Sequence, residues 1–170
     1  MNLSVEDIKR SLRSEQAPSP VRDAPPYPYH EPEPDHIERA AVLIPLYREK
    51  DEWHVVFIKR TEHDQDDHSG QIAFPGGRAE EGDDTLLDTA LRETKEEIGL
   101  HPRDVNILGY SKDILTVTHF HVTPIAGTFP WPYPLEPYPL EVEKILSYPL
   151  NWLADPDHHR VEHRRSGRSA

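Results

Sequence analysis

An α+β sandwich, with a mixed sheet between helices, is the fold class that the sequence predicts. Three observations predict it. Alternating or apolar runs at 39–47, 53–60, 104–111 and 113–127 read as strands. A strongly amphipathic helix interrupts them in the middle of the chain, and a further helix is expected from about Glu141. Strands, a central helix, more strands and a late helix suggest one sheet covered on its faces.

The elements follow in chain order. Val5, Ile8 and Leu12 recur at helical spacing, so 4–16 reads as a short helix. Residues 17–34 hold seven prolines with Tyr27 and Tyr29, which suits an extended arm, partly polyproline II. The folded core is expected from Ile37. In the central helix, Leu87, Ala90, Leu91, Thr94 and Ile98 make an apolar stripe. Asp83 or Asp84 is placed to cap its start, and Gly99 to end it, with Pro102 soon after. Residues 130–139 hold five prolines among Trp131, Tyr133 and Tyr138, so they must form a loop, which could line a cleft and stack a base or merely cover the surface. The domain organisation expected is an N-terminal helix and arm over 1–36, a core over 37–156, and a flexible basic and histidine-bearing tail over 157–170.

Composition narrows the function. The chain of 170 residues suits a single domain with a full core. It has no cysteine, which excludes a disulfide framework and a thiolate zinc site. Its apolar runs are too short to span a membrane, and residues 1–7 lack the basic start and apolar stretch of a signal peptide, so a cytoplasmic location is expected. Acidic residues number 31 against 19 basic, a net charge of -12, which disfavours nucleic-acid polymers as partners. A homodimer through the N-terminal arm is conceivable.

The central helix carries the chemistry. Glu93, Glu96 and Glu97 lie three and four residues apart and so crowd together, each such pair repelling by roughly 0.2–0.5 kcal/mol. A hard divalent cation, which takes oxygen ligands, would repay that cost; a solvated acidic face is the plainer alternative. Arg92 precedes Glu96 by four residues and can orient it. Immediately upstream stands a glycine turn, Gly76-Gly77, followed by Arg78-Ala79-Glu80-Glu81-Gly82-Asp83-Asp84.

The turn and the run Arg92-Glu93-Thr94-Lys95-Glu96-Glu97-Ile98-Gly99-Leu100 resemble the signature box of the Nudix hydrolases. Thr94 replaces the usual aliphatic residue. The spacer is one residue longer than the common form, so that counting from Gly77 assigns its acid to Asp83 and counting from Arg92 assigns it to Asp84. The resemblance implies an α/β/α sandwich and metal-dependent hydrolysis of a nucleoside diphosphate linked to another group. It implies Glu93 and Glu97 as the main ligands of Mg2+ or Mn2+, with Glu96 sharing and the backbone carbonyl near Gly77 completing the shell. Glu93 is the chosen general base, with Glu141 or Glu143 as competitors.

A second segment, Arg60, then His68-Ser69-Gly70-Gln71-Ile72-Ala73-Phe74-Pro75-Gly76-Gly77, resembles the extra motif of the coenzyme A pyrophosphatase branch. The gap between Arg60 and His68 is one residue longer than in that motif, and Gln65 or Asp66 stands where an arginine is expected. The resemblance implies coenzyme A or its thioesters as substrate, with adenosine 3′,5′-bisphosphate and a phosphopantetheine fragment as products, and with Arg60, His68, Gly70, Gln71, Phe74 and Gly76 as substrate contacts. Arg60, Lys59 or the tail arginines would meet the ribose phosphate. ADP-ribose, a nucleotide sugar or a dinucleotide are the alternatives; a nucleotide sensor that has lost hydrolysis is the alternative of another class. His119 and His121 face one side of a strand, but no third zinc ligand is evident.

Overall fold

The computed structural model describes residues 3–12, 37–62, 70–116 and 120–160. The proline-rich arm (17–34), Gln65, Asp66, His68, His119 and the tail beyond 160 lie outside the described residues. The element order is α1 (Val5–Ser11), β1 (Glu38–Glu49), β2 (Glu52–Arg60), β3 (Ile72–Ala73), β4 (Gly76–Arg78), α2 (Leu86–Ile98), β5 (Asn106–Tyr110), β6 (Ile114–Leu115), β7 (Phe120–Thr128), β8 (Val142–Pro149) and α3 (Leu150–Ala154). All the strands join one mixed sheet.

β1 organises it. It pairs in parallel with β7 over its length, Glu38 opposite Phe120 through Leu46 opposite Thr128. On its other side it is antiparallel to β2 at Leu46–Glu49 and to β4 at Ala40–Val42. β1 and β2 therefore splay apart, and the 72–78 segment is wedged between them. Ala73 lies opposite Ile58 of β2, while Gly76 and Gly77 lie opposite Val42 and Ala41 of β1. The Pro75 carbonyl also accepts from the Leu43 N–H at 2.8 Å. The glycine turn is thus part of the sheet rather than a loose loop.

Strand alternation sorts the side chains to two faces. Ala41, Leu43, Val56, Ile58 and Ile125 are buried under α2 with Leu86, Ala90 and Ile98. On the opposite face Leu46, Trp53, Val55 and Ala126 cluster with Ile8 of α1, and Leu150 and Leu153 of α3 pack against them. The Trp53 indole N–H donates to the Leu3 carbonyl at 2.7 Å and ties α1 down. Between α1, α3 and the sheet remains an apolar cavity of about 470 Å³.

Several expectations are corrected. The segment after Glu141 is strand β8, not a helix. Val142 and Ile145 pack inward while Glu143, Lys144 and Ser147 are exposed, and pairing with β2 satisfies the backbone. The late helix shrinks to α3, which follows Pro149. The run 113–127 divides into β6 and β7, and 104–111 opens with a 3₁₀ turn, Pro102–Asp104, before β5. The start of the tail is built in: His158 stacks on Trp152 at 4.3 Å. The 130–139 loop is irregular, as expected.

Candidate active site

α2 is capped by neither Asp83 nor Asp84 but by the residue that follows them. Thr85 is the N-cap: its hydroxyl accepts from the Asp88 N–H at 3.2 Å, and the Asp88 carboxylate accepts from the Thr85 N–H at 2.9 Å. This reciprocal capping box satisfies two otherwise orphaned donors. Asp83 is thereby released for another task. Gly99 closes the helix in the left-handed region at φ 72°, its N–H on the Lys95 carbonyl. The carbonyls of Glu97 and Ile98 accept from the Tyr138 and Glu136 N–H groups at 2.8 and 3.0 Å, so the proline-rich loop caps the end of α2.

Register on α2 also differs from the expected stripe. Leu86, Thr89, Ala90, Thr94, Glu97 and Ile98 are the buried positions, whereas Leu87 and Leu91 are half-buried. Thr94 is tolerated among them because its hydroxyl donates to the Ala90 carbonyl at 2.6 Å. Glu97 belongs to this inward face and is 1% exposed.

The glycine turn holds that buried carboxylate. The Gly76 N–H donates to Glu97 Oε2 at 2.9 Å. Gly76 itself has φ 149°, and a Cβ there would drive into the Ala41 carbonyl oxygen, so only glycine fits. A Cβ on Gly77 would lie 2.5 Å from Glu93 Oε1. The missing methyls bring two carboxylates against one backbone turn. Burial pushes Glu97 up to about 7, opposed by the Gly76 hydrogen bond and aided by the charge on Glu93. Glu93 is raised as well, again chiefly by desolvation.

Arg92 organises the outer half of the site. Its Nε donates to Asp83 Oδ1 at 3.0 Å and its Nη2 to Asp83 Oδ2 at 2.9 Å, a bidentate pair. Nη1 reaches Glu93 Oε1 at 3.0 Å and Glu96 Oε2 at 3.2 Å, and Nη2 also reaches the Arg78 carbonyl at 3.1 Å. Asp83 is 8% exposed and also accepts from the Thr89 hydroxyl at 2.9 Å. The Arg92 hydrogen bonds hold its carboxyl below the usual range. The spacer acid is therefore Asp83; Asp84 is exposed. Glu96 is turned outward to Arg92, its side chain 55% exposed.

Arg60, at the end of β2, extends from the sheet face that α2 covers. Its Nη1 stands 3.8 Å from Glu97 Oε1. Its backbone N–H donates to the Gln71 carbonyl at 3.0 Å, which brings Gly70 and Gln71 to the same margin. Glu141 lies close enough that its charge raises both Glu93 and Glu97. Three expectations do not gather here. The Phe74 ring stacks on Phe57 at 4.7 Å on the opposite face of the sheet, because alternation turns it away from Gly76. Lys59 points to that far side too, paired with Glu143 at 2.7 Å, which removes both from the cleft. His121 is buried near the start of β7, with Asp113 3.8 Å away. The spacing of Asp83 to Arg92 was ambiguous by count; the capping residue Thr85 was the signal that separates Asp83 from Asp84.

Hard oxygen donors dominate the turn. Among the described residues no three His, Asp or Glu side chains stand close enough to hold an ion alone. Mg2+ takes one or two carboxylates and draws its remaining ligands from water and substrate phosphates. Glu93 and Glu97 could provide those carboxylates.

A family description, the NUDIX domain, matches residues 37–165. Two curated relatives, each named "Uncharacterized Nudix hydrolase NudL", come from Yersinia pestis (strain Pestoides F) and Yersinia pseudotuberculosis (serotype O:1b). Each is 34% identical over 148 residues, spanning 80% of this chain and 73% of the relative. Among solved structures, a Caenorhabditis elegans Ap4A hydrolase binary complex is similar with TM-score 0.57 and 16% identity, over 68% of this chain and 82% of that one. The NUDIX domain of Shewanella oneidensis NrtR, complexed with ADP ribose, gives 0.53 and 17%, over 71% and 77%. The structural likenesses concern the fold. A mixed sheet that presents a carboxylate helix against a glycine turn defines a hydrolase of nucleoside diphosphate-linked substrates. The chain belongs to the Nudix hydrolase family. Such hydrolases generally use divalent metal ions.

Proposed function

We propose that this hydrolase cuts the diphosphate of coenzyme A or of its thioesters, releasing adenosine 3′,5′-bisphosphate and a phosphopantetheine fragment. One observation carries the reading. Arg60, the first residue of the coenzyme A-type motif, meets Glu97, the last acid of the hydrolase box, at 3.8 Å over the Gly76 turn. Two motifs far apart in sequence thus converge on one place.

Glu93 and Glu97 would hold the divalent ion, with Glu96, which Arg92 orients, sharing. A bound ion neutralises diphosphate charge and acidifies a water. Glu93 takes the proton from the attacking water. A water oxygen–phosphorus bond forms, the anhydride P–O bond breaks, and the departing phosphate carries the negative charge. Arg60 offers paired donors to a phosphate, which a lysine could not match. With Lys59 turned to the far face, Arg60 is also the nearer candidate for the ribose phosphate.

A substrate panel with Mg2+ or Mn2+ tests the reading: coenzyme A, an acyl thioester, ADP-ribose, a nucleotide sugar and a dinucleotide, with products identified by mass. Coenzyme A should be cut fastest, giving the two products named. Turnover of the other diphosphates with coenzyme A untouched would overturn the substrate while leaving the hydrolase.

A further inference from the structure

The 130–139 loop builds a feature that the diphosphate chemistry does not use. His54, Tyr47 and Trp131 form a three-ring stack, with centroids 5.0 Å apart at 14° and then 4.0 Å apart at 20°. The stack ends at Trp131, which is 37% exposed. That ring is held in place: Phe129 meets it edge-on at 6.3 Å, and its indole N–H donates to Glu49 at 3.3 Å. Beside it lies a cavity of about 310 Å³, walled by Tyr47, Val56, Trp131, Tyr133, Ile145 and Ser147. Among the described residues no acidic or basic side chain lines it, so it is built for an uncharged group rather than a phosphate. Aromatic walls favour a planar ring over a flexible chain. The hydroxyls of Tyr47 and Ser147, 2.8 Å apart, supply polar atoms for the ring's edge.

Its position relates it to the catalytic turn. Val56, Ile58 and Arg60 alternate along β2 on the face that α2 covers, so the cavity floor lies roughly 13 Å from the Arg60 position at the usual rise per residue. An extended nucleoside diphosphate reaches over a distance of that order. The loop that makes the wall continues into the backbone hydrogen bonds on Ile98 and Glu97, so wall and catalytic helix are one assembly.

We propose that this aromatic cavity is the nucleobase subsite, where the purine of the substrate stacks on the exposed face of Trp131. The inference rests on the diphosphate-hydrolase reading, and any adenine-containing diphosphate would fill the subsite whether or not it is coenzyme A.

Tryptophan fluorescence and steady-state kinetics test it together. ADP should quench the wild-type protein saturably, ribose 5-phosphate should not, and Trp131→Phe should abolish the ADP response, leaving Trp53 and Trp152 as silent controls. Trp131→Ala should raise KM about tenfold for whichever adenine diphosphate the panel shows to be cut, in line with one stacked base, with kcat within about twofold. Trp131→Phe should restore most of the KM. An ADP response that survives in Trp131→Phe, no response in the wild type, an unchanged KM in Trp131→Ala, or saturable quenching by phosphopantetheine instead of ADP would overturn the subsite. If Trp131→Ala fails to fold, the Trp131→Phe titration still decides. If coenzyme A is not cut while ADP still reports through Trp131, the substrate reading alone falls.

Discussion

Glu97 is an acid placed where an aliphatic side chain would ordinarily sit, and that placement has a measurable cost. Its pKa rises from 4.5 to about 7 in the fold. The folded protein therefore holds this proton more tightly than the unfolded chain. The resulting stability is complete below about pH 4.5 and is lost as pH rises to about 7, on the order of 3 kcal/mol across that window. Without divalent ions, the wild-type melting temperature should fall between pH 5 and 7.5, and Glu97→Gln should flatten that fall. Excess Mg2+ at pH 8 should raise the wild-type value and leave the variant unmoved. Glu97→Gln should also cut turnover by orders of magnitude while folding near normally; an unchanged rate would remove Glu97 from catalysis. Asp83 behaves oppositely, being held low by Arg92 and kept ionised in the fold. Asp83→Ala should cost about 2–4 kcal/mol because it removes the bidentate partner of Arg92 and the acceptor of the buried Thr89 hydroxyl, whereas Asp84→Ala should stay within about 0.5 kcal/mol. Denaturant unfolding of the two variants checks this. From the sequence, Glu93, Arg92, Glu96 and Glu97 were readable as a group because helical spacing brings them together. The burial of Glu97 was not, since the Gly76 N–H that satisfies its carboxylate stands twenty-one positions away.

At the scale of elements, the glycine turn and α2 form one device. Gly77→Ala should leave stability almost unchanged, because the Glu93 side chain can swing aside, yet lower kcat at least tenfold by displacing that carboxylate. Gly76→Ala should instead destabilise by several kcal/mol, since backbone atoms of β1 block it. Comparing urea midpoints with kcat separates the two effects. Helix α2 and strands β1, β2 and β7 were legible because their apolar periods are long. β8 was misread because Val142-Glu143-Lys144-Ile145-Leu146 fits a helical period as readily as a half-buried edge strand. Partners decide it, and its pairing with β2 is visible only in three dimensions.

At the scale of the whole molecule, the proposed site and the supporting helices lie on opposite faces of the sheet. α2, the glycine turn and the aromatic loop share one face, while α1 and α3 cover the other. Ile8→Ala should therefore cost about 2 kcal/mol and lower the melting temperature by several degrees without altering kcat. Thermal unfolding and initial rates on the same preparation test that division. The sandwich was foreseeable from strand and helix order, but the threading of residues 72–78 between β1 and β2 was not, because Ile72–Ala73 and Gly76–Arg78 are too short to carry a period.

The parallel seam between β1 and β7 also governs how the protein comes into being. Since Glu38 must find Phe120, the nascent chain emerging from a ribosome cannot close its sheet until Thr128 has cleared the exit tunnel. Until then Ala41, Leu43 and Ile44 offer a bare apolar ribbon to chaperones or to neighbouring chains. Refolding in vitro should accordingly be slow for a domain this small, in milliseconds to seconds rather than microseconds.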